Sequence, residues 1–176
     1  MGNDDTSLCD RVLLYNNGFI AYNKDSTGAW VQDGELDDVT DTLVIAPGTG
    51  ALVQRRSGTA TTITQTGQVR SNKFARPFAQ GYQLIAPAYP VGISPNYLGA
   101  NSSANWGVND KIIPFSSGFV SYDFDPADTS GGAYGTWVES GQLDPANSLT
   151  LISSDGVGFV YRSINDVGIL ETSPVQ

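Results

Sequence analysis

Asp10-Arg-Val-Leu-Leu-Tyr-Asn-Asn-Gly-Phe-Ile-Ala-Tyr-Asn23 aligns without a gap on Asp110-Lys-Ile-Ile-Pro-Phe-Ser-Ser-Gly-Phe-Val-Ser-Tyr-Asp123, at a spacing of 100 residues. The spacing then widens to 107. Gly28-Ala-Trp-Val-Gln-Asp-Gly-Glu-Leu-Asp37 matches Gly135-Thr-Trp-Val-Glu-Ser-Gly-Gln-Leu-Asp144, and Leu52-Val-Gln-Arg55 matches Phe159-Val-Tyr-Arg162. The shared order of Gly-Phe, Tyr, Gly-x-Trp-Val and Gly-x-Leu-Asp reads as a duplicated unit. Within it, Asn16-Asn17-Gly18 separates two aromatic and β-branched runs, Val12 to Tyr15 and Phe19 to Tyr22, which is a hairpin signal.

Trp30 to Gln32, Leu43 to Ile45 and Ala51 to Val53 continue the series of short strands, and Thr59 to Val69 reads as one or two more on a solvated face. Turn residues recur at short intervals and no stretch keeps a 3.6-residue period. The expected fold is therefore all-β, sandwich or barrel-like, built from two duplicated units. Residues 1–70 form the first unit and 110–176 the second. Residues 71–109 are a connector with one strand, Tyr82 to Ala86, and a loop rich in Asn and Ser, the whole packing as one domain. Phe19 and Phe119 are expected to be buried at matched positions.

The segment Gly81-Tyr-Gln-Leu-Ile-Ala-Pro-Ala-Tyr-Pro90, followed by Asp110-Lys-Ile, Gly-Phe-x-x-Tyr and Gly-x-Trp-Val, resembles a poorly characterised family of exported bacterial β-repeat proteins. Gln83 stands where that signature has Asn. The resemblance covers residues 10–165 and implies a β fold and an extracellular or cell-surface location, with no catalytic residues to carry over. It also implies that the first unit is without its own leading strand and that the chain is part of a longer protein.

Composition narrows the function by exclusion. The 176 residues carry 18 acids, 9 bases and no histidine, a net charge of −9. That balance disfavours nucleic acid. The missing imidazole removes Ser-His and Cys-His hydrolases and His-ligated zinc. Cys9 is the one cysteine, so no internal disulfide forms, and it reads as a small buried hydrophobe. No apolar run is long enough to cross a membrane as a helix. Charge falls in blocks: −7 over residues 1–41, +5 over 42–109 through Arg55, Arg56, Arg70, Lys73 and Arg76, and −7 over 110–176. Such blocks support a structural surface protein that self-assembles through complementary faces.

The other reading is a non-catalytic module that binds carbohydrate through exposed aromatic residues. Trp30 and Trp137 occupy matched positions and could each stack on a pyranose ring; the alternative is that they anchor the core. Trp106 and Tyr97 lie in the connector near Asn101 and Asn105, whose amides suit sugar hydroxyls. Asp123, Asp125 and Asp128 place three carboxylates in a Gly-rich loop, a weak Ca²⁺ candidate without the spacing of an EF-hand. Glu35, Glu139 and Glu171 form no recognisable glycosidase motif, so no enzyme is expected. The partners expected are polysaccharide or neighbouring copies of the same chain.

Overall fold

A computed structural model describes residues 2, 4–5, 7–56, 69, 71–98, 106–115, 118–131, 135–154, 156–163 and 167–171, for residue 167 only the backbone. The fold is all-β: three antiparallel sheets and no helix among the described residues. The chain divides into two compact units, residues 1–68 and 69–176.

The first unit is a four-stranded sheet in the order β3-β2-β1-β4, made of β1 (Arg11–Tyr15), β2 (Phe19–Lys24), β3 (Trp30–Gln32) and β4 (Leu52–Gln54). Asn17 takes a left-handed φ of 53°, a conformation that Asn tolerates, and this closes the β1–β2 hairpin. Arg11 pairs with Asn23 and Tyr15 with Phe19, while Val12 faces Tyr22 on one side and Val53 on the other. Trp30 pairs with Lys24. Leu43 to Ile45, read above as a strand, takes no strand pairing, and Val44 is exposed. Most of Thr59 to Val69 lies outside the described residues.

The second unit holds a five-stranded sheet, β6-β10-β7-β8-β9, and a two-stranded one, β11-β5. Its strands are β5 (Phe74–Phe78), β6 (Gly81–Ile85), β7 (Lys111–Phe115), β8 (Tyr122–Asp125), β9 (Thr136–Glu139), β10 (Val157–Arg162) and β11 (Val167–Glu171). Residues 71–109, expected to supply one strand, thus supply two. Pro77, which cannot donate a ladder hydrogen bond, is accommodated in β5 of the small sheet.

Pairing in the five-stranded sheet falls on the residues 100 or 107 positions beyond those of the first. Lys111 faces Asp123, Ile112 faces Tyr122 and Val160, and Trp137 faces Phe124. The β1–β2 ladder has five pairs; the β7–β8 ladder has two and then a bridge at Phe115–Phe119. Pro114, where the first unit has Leu14, removes a backbone N–H from that ladder.

Alternation along β7 and β10 sets the core. Ile112, Val160 and Arg162 point inward and Lys111, Ile113, Phe159 and Tyr161 outward. The inner face packs on Phe78 and Ile169 from the small sheet and on Ile93, Leu98 and Ile152 from the loops. Each fully buried large apolar side chain contributes about 1.5–3 kcal/mol. Trp106 joins the layers: its ring centroid lies 5.7 Å from that of Phe78 and 5.1 Å from that of Trp137, the latter edge to face.

Phe19 and Phe119 are exposed, at 51% and 64%, contrary to the expectation that both are buried. Strand parity explains this. Each lies on the sheet face opposite the one that Val12 or Ile112 occupies, edge to face with Tyr15 or Phe115 at 5.4 and 5.3 Å.

Candidate functional site

The outer face of the five-stranded sheet carries aligned rows of side chains, because residues paired across strands project to the same side. One row runs Tyr82, Tyr161, Lys111, Asp123 and Val138 across all five strands. Beside it run Leu84, Phe159 and Ile113, and then Val157, Phe115 and Phe119. Tyr82 and Tyr161 stack at 4.6 Å between centroids with a 43° tilt, and Phe159 meets Tyr82 at 6.3 Å, edge to face. Tyr82, Phe115 and Phe119 are exposed while Phe159 and Tyr161 are half-buried, which leaves an open aromatic strip.

At the β8–β9 end of the row lies a shallow hollow of about 520 Å³, lined by Asn109, Lys111, Asp123, Asp125, Phe124 and Val138 among others. Asn109 holds a left-handed φ of 72° at its rim. Lys111 forms an ion pair with Asp123, which also accepts a hydrogen bond from Ser140 Oγ. Burial pushes the Asp123 carboxyl up, but the Lys111 and Ser140 hydrogen bonds and the Lys111 charge outweigh it. Its pKa therefore lies below the usual carboxylate value.

The tryptophans named from the sequence lie elsewhere. Trp106 is 2% exposed and Trp137 is 0% exposed, so neither presents a face to a sugar; both are core residues. Trp137 is enclosed by Phe124 and Trp106, and Arg162 lies 4.7 Å over the Trp106 ring. Trp30 is half-buried, with the Lys24 ammonium 6.0 Å above its ring. Tyr97 packs against the core of the second unit. Its hydroxyl oxygen is buried, and that burial, with the nearby Glu171 carboxylate, pushes the phenol far above its ordinary value. Asn101 and Asn105 lie outside the described residues.

The three aspartates of the Ca²⁺ candidate hold separate local hydrogen bonds. Asp123 is engaged by Lys111 and Ser140, Asp125 accepts from Ala127 N at 2.8 Å, and Asp128 accepts from Ser130 N at 2.8 Å. Among the described residues no group of three or more acidic, Cys or His side chains is spaced to share a metal ion. Two cations of the basic block are taken up internally: Arg55 pairs with Asp10 at 3.2 Å, and Arg76 with Glu171 inside the second unit. Cys9 is buried.

The aromatic strip was missed because its residues come from β6, β7 and β10 and adjoin only through sheet order. The signal was present as Tyr-x-Leu in β6, Ile-x-Phe in β7 and Phe-x-Tyr in β10, the outward positions of three alternating strands. Comparison with family models finds no match, and comparisons with curated proteins and with solved structures find none either.

Proposed function

We propose that this chain is an exported, non-catalytic module that binds polysaccharide on the outer face of its five-stranded sheet. The observation that carries this reading is the open strip of Tyr82, Tyr161 and Phe159 continuing into the polar hollow at Lys111 and Asp123. Pyranose C–H groups stack on tyrosine faces, and hydroxyls of the next residue along a glycan find the ammonium, carboxylate and amide of the hollow. No step of bond breaking is invoked; Glu171, one of the three glutamates considered, is buried in its pair with Arg76.

Affinity electrophoresis of the whole chain through gels containing single soluble glycans tests the proposal. Retardation by at least one glycan is expected, lost in Tyr82→Ala and Tyr161→Ala while Phe119→Ala reduces it less. No retardation across a panel of neutral and acidic polysaccharides overturns it, as does retardation that survives both tyrosine substitutions.

A further inference from the structure

The row Lys111, Asp123, Val138 in the second unit has its counterpart in the first as Arg11, Asn23, Val31, joined by the same cross-strand pairings. A hollow of about 350 Å³ lies at this place, lined by Asp4, Asn23, Asp25, Val31, Asp33 and Glu35 among others. Asp25 matches Asp125, which lines the hollow of the second unit. The two hollows differ in charge. In the second, the Lys111 ammonium sits on Asp123. In the first, Arg11 brings a positive charge to the same sheet face from across the ladder, but four carboxylates line the hollow.

Asn23 is the residue that points to a ligand. It is 6% exposed, and its Nδ2 donates to Asp33 Oδ1 at 2.9 Å. That bond fixes which end of the amide is which and turns the carboxamide toward another lining side chain. Asn23 Oδ1 is thereby left as an acceptor, shut off from water, that receives no hydrogen bond from any described residue. A buried acceptor of this kind is costly unless a donor reaches it. Asp33 and Glu35 flank Gly34, whose φ of +86° turns the chain so that both carboxylates border the same hollow.

We propose that this hollow of the first unit binds an aliphatic di- or polyamine. A primary ammonium has three donors and no acceptor, which suits Asn23 Oδ1 and the Asp33 and Glu35 carboxylates together. The methylene stem lies along Val31 and the exposed Leu36, which also lines the hollow. The second unit makes the equivalent contact internally, with the Lys111 ammonium on Asp123. A metal ion fits less well, since among the described residues no three acidic side chains are spaced to share one. A pyranose fits less well too, because no aromatic ring is among the described lining residues.

Spermidine is titrated into the whole chain while the Asn23 side-chain amide and the Val31 and Gln32 backbone amides are followed by NMR. Saturable shifts at all three are expected. Asp33→Asn, at an exposed position, weakens binding by about tenfold or more. Asp37→Asn removes the same charge from an exposed neighbour outside the lining and weakens binding less than about twofold. The proposal is overturned if the Asn23 amide does not move, or if Asp37→Asn weakens binding as much as Asp33→Asn, since the attraction is then diffuse. It is overturned in favour of a metal site if Ca²⁺ gives the same shifts at lower concentration. It is overturned in favour of a partner's lysine if Nα-acetyl-lysine amide binds as tightly as spermidine.

Discussion

Arg162 donates from Nη1 to Asp110 Oδ2 at 2.9 Å, with both side chains shut off from water. The same carboxylate accepts from Gly107 N, Ser163 N and Ser163 Oγ at 2.7–2.8 Å, so a buried charge has each of its oxygens engaged. The pair ties the start of β7 to the end of β10, the two strands at the centre of the sheet that carries the aromatic strip. Asp10 plays the matching part in the first unit, accepting from Arg56 N at 3.0 Å and pairing with Arg55, whose side chain is one-third exposed.

That contrast gives unequal costs for equivalent substitutions. Asp110→Asn leaves the Arg162 guanidinium buried without its counter-charge and is expected to destabilise the second unit by about 3–5 kcal/mol. Asp10→Asn, beside a solvated partner, is expected to cost about 1 kcal/mol or less. Urea unfolding of the two variants measures both, and equal losses would contradict the assignment of the two environments.

Trp137 and Trp106 act through packing. Trp137→Ala empties a site enclosed by Phe124 and Trp106, and a loss of about 3–5 kcal/mol is expected. Trp30→Ala, with the ring half-covered, is expected to cost clearly less. Thermal or urea unfolding separates the two, and any change in glycan retardation by Trp137→Ala should track its loss of folded protein.

The β1–β2 hairpin and the strands at 11–15, 19–24, 30–32 and 52–54 were legible because alternation and the Asn-Asn-Gly turn are local signals. By contrast, Leu43 to Ile45 takes no strand pairing, and β5 and β11, which pair with each other across about 90 residues, were not read. Burial of individual aromatics was not legible either. Trp30 and Trp137 share a sequence context, yet one lies under Lys24 and the other is enclosed by Phe124 from the neighbouring strand and by Trp106 from the connector. Phe19 and Phe119 look like core residues by hydrophobicity, but their parity along the hairpin puts them on the outer face. The aromatic strip depends on β6 adding to β10, a pairing across more than 70 residues that no local pattern announces.

Gly135 is required by the backbone and by its neighbour. Its φ is +129°, and a Cβ there would lie 2.4 Å from the Phe124 ring. Gly135→Ala therefore strains the chain and displaces Phe124 from Trp137. Gly141, with φ +84° and open space around it, meets only the backbone penalty of roughly 1–2 kcal/mol. Gly135→Ala is expected to exceed Gly141→Ala in urea unfolding, and near-UV circular dichroism should report the disturbed Phe124–Trp137 contact only in the former.

The Lys111–Asp123 pair predicts a pH dependence with a definite sign. Because the folded pKa of Asp123 lies below the ordinary carboxylate value, the folded state holds its proton less tightly than the unfolded chain. The pair's stabilisation is fully present above the unfolded value of about 3.9 and is lost as pH falls through the lower, folded pKa. Both side chains are about one-third exposed, so the contribution is at most about 1 kcal/mol and shrinks in high salt. Lys111→Met should therefore be slightly less stable than the unaltered chain at neutral pH, and the difference should fade as pH drops below that range. The carboxyl carbon shift of Asp123 in an NMR titration should move its midpoint upward in Lys111→Met, and an unchanged midpoint would show that Lys111 does not hold that carboxylate.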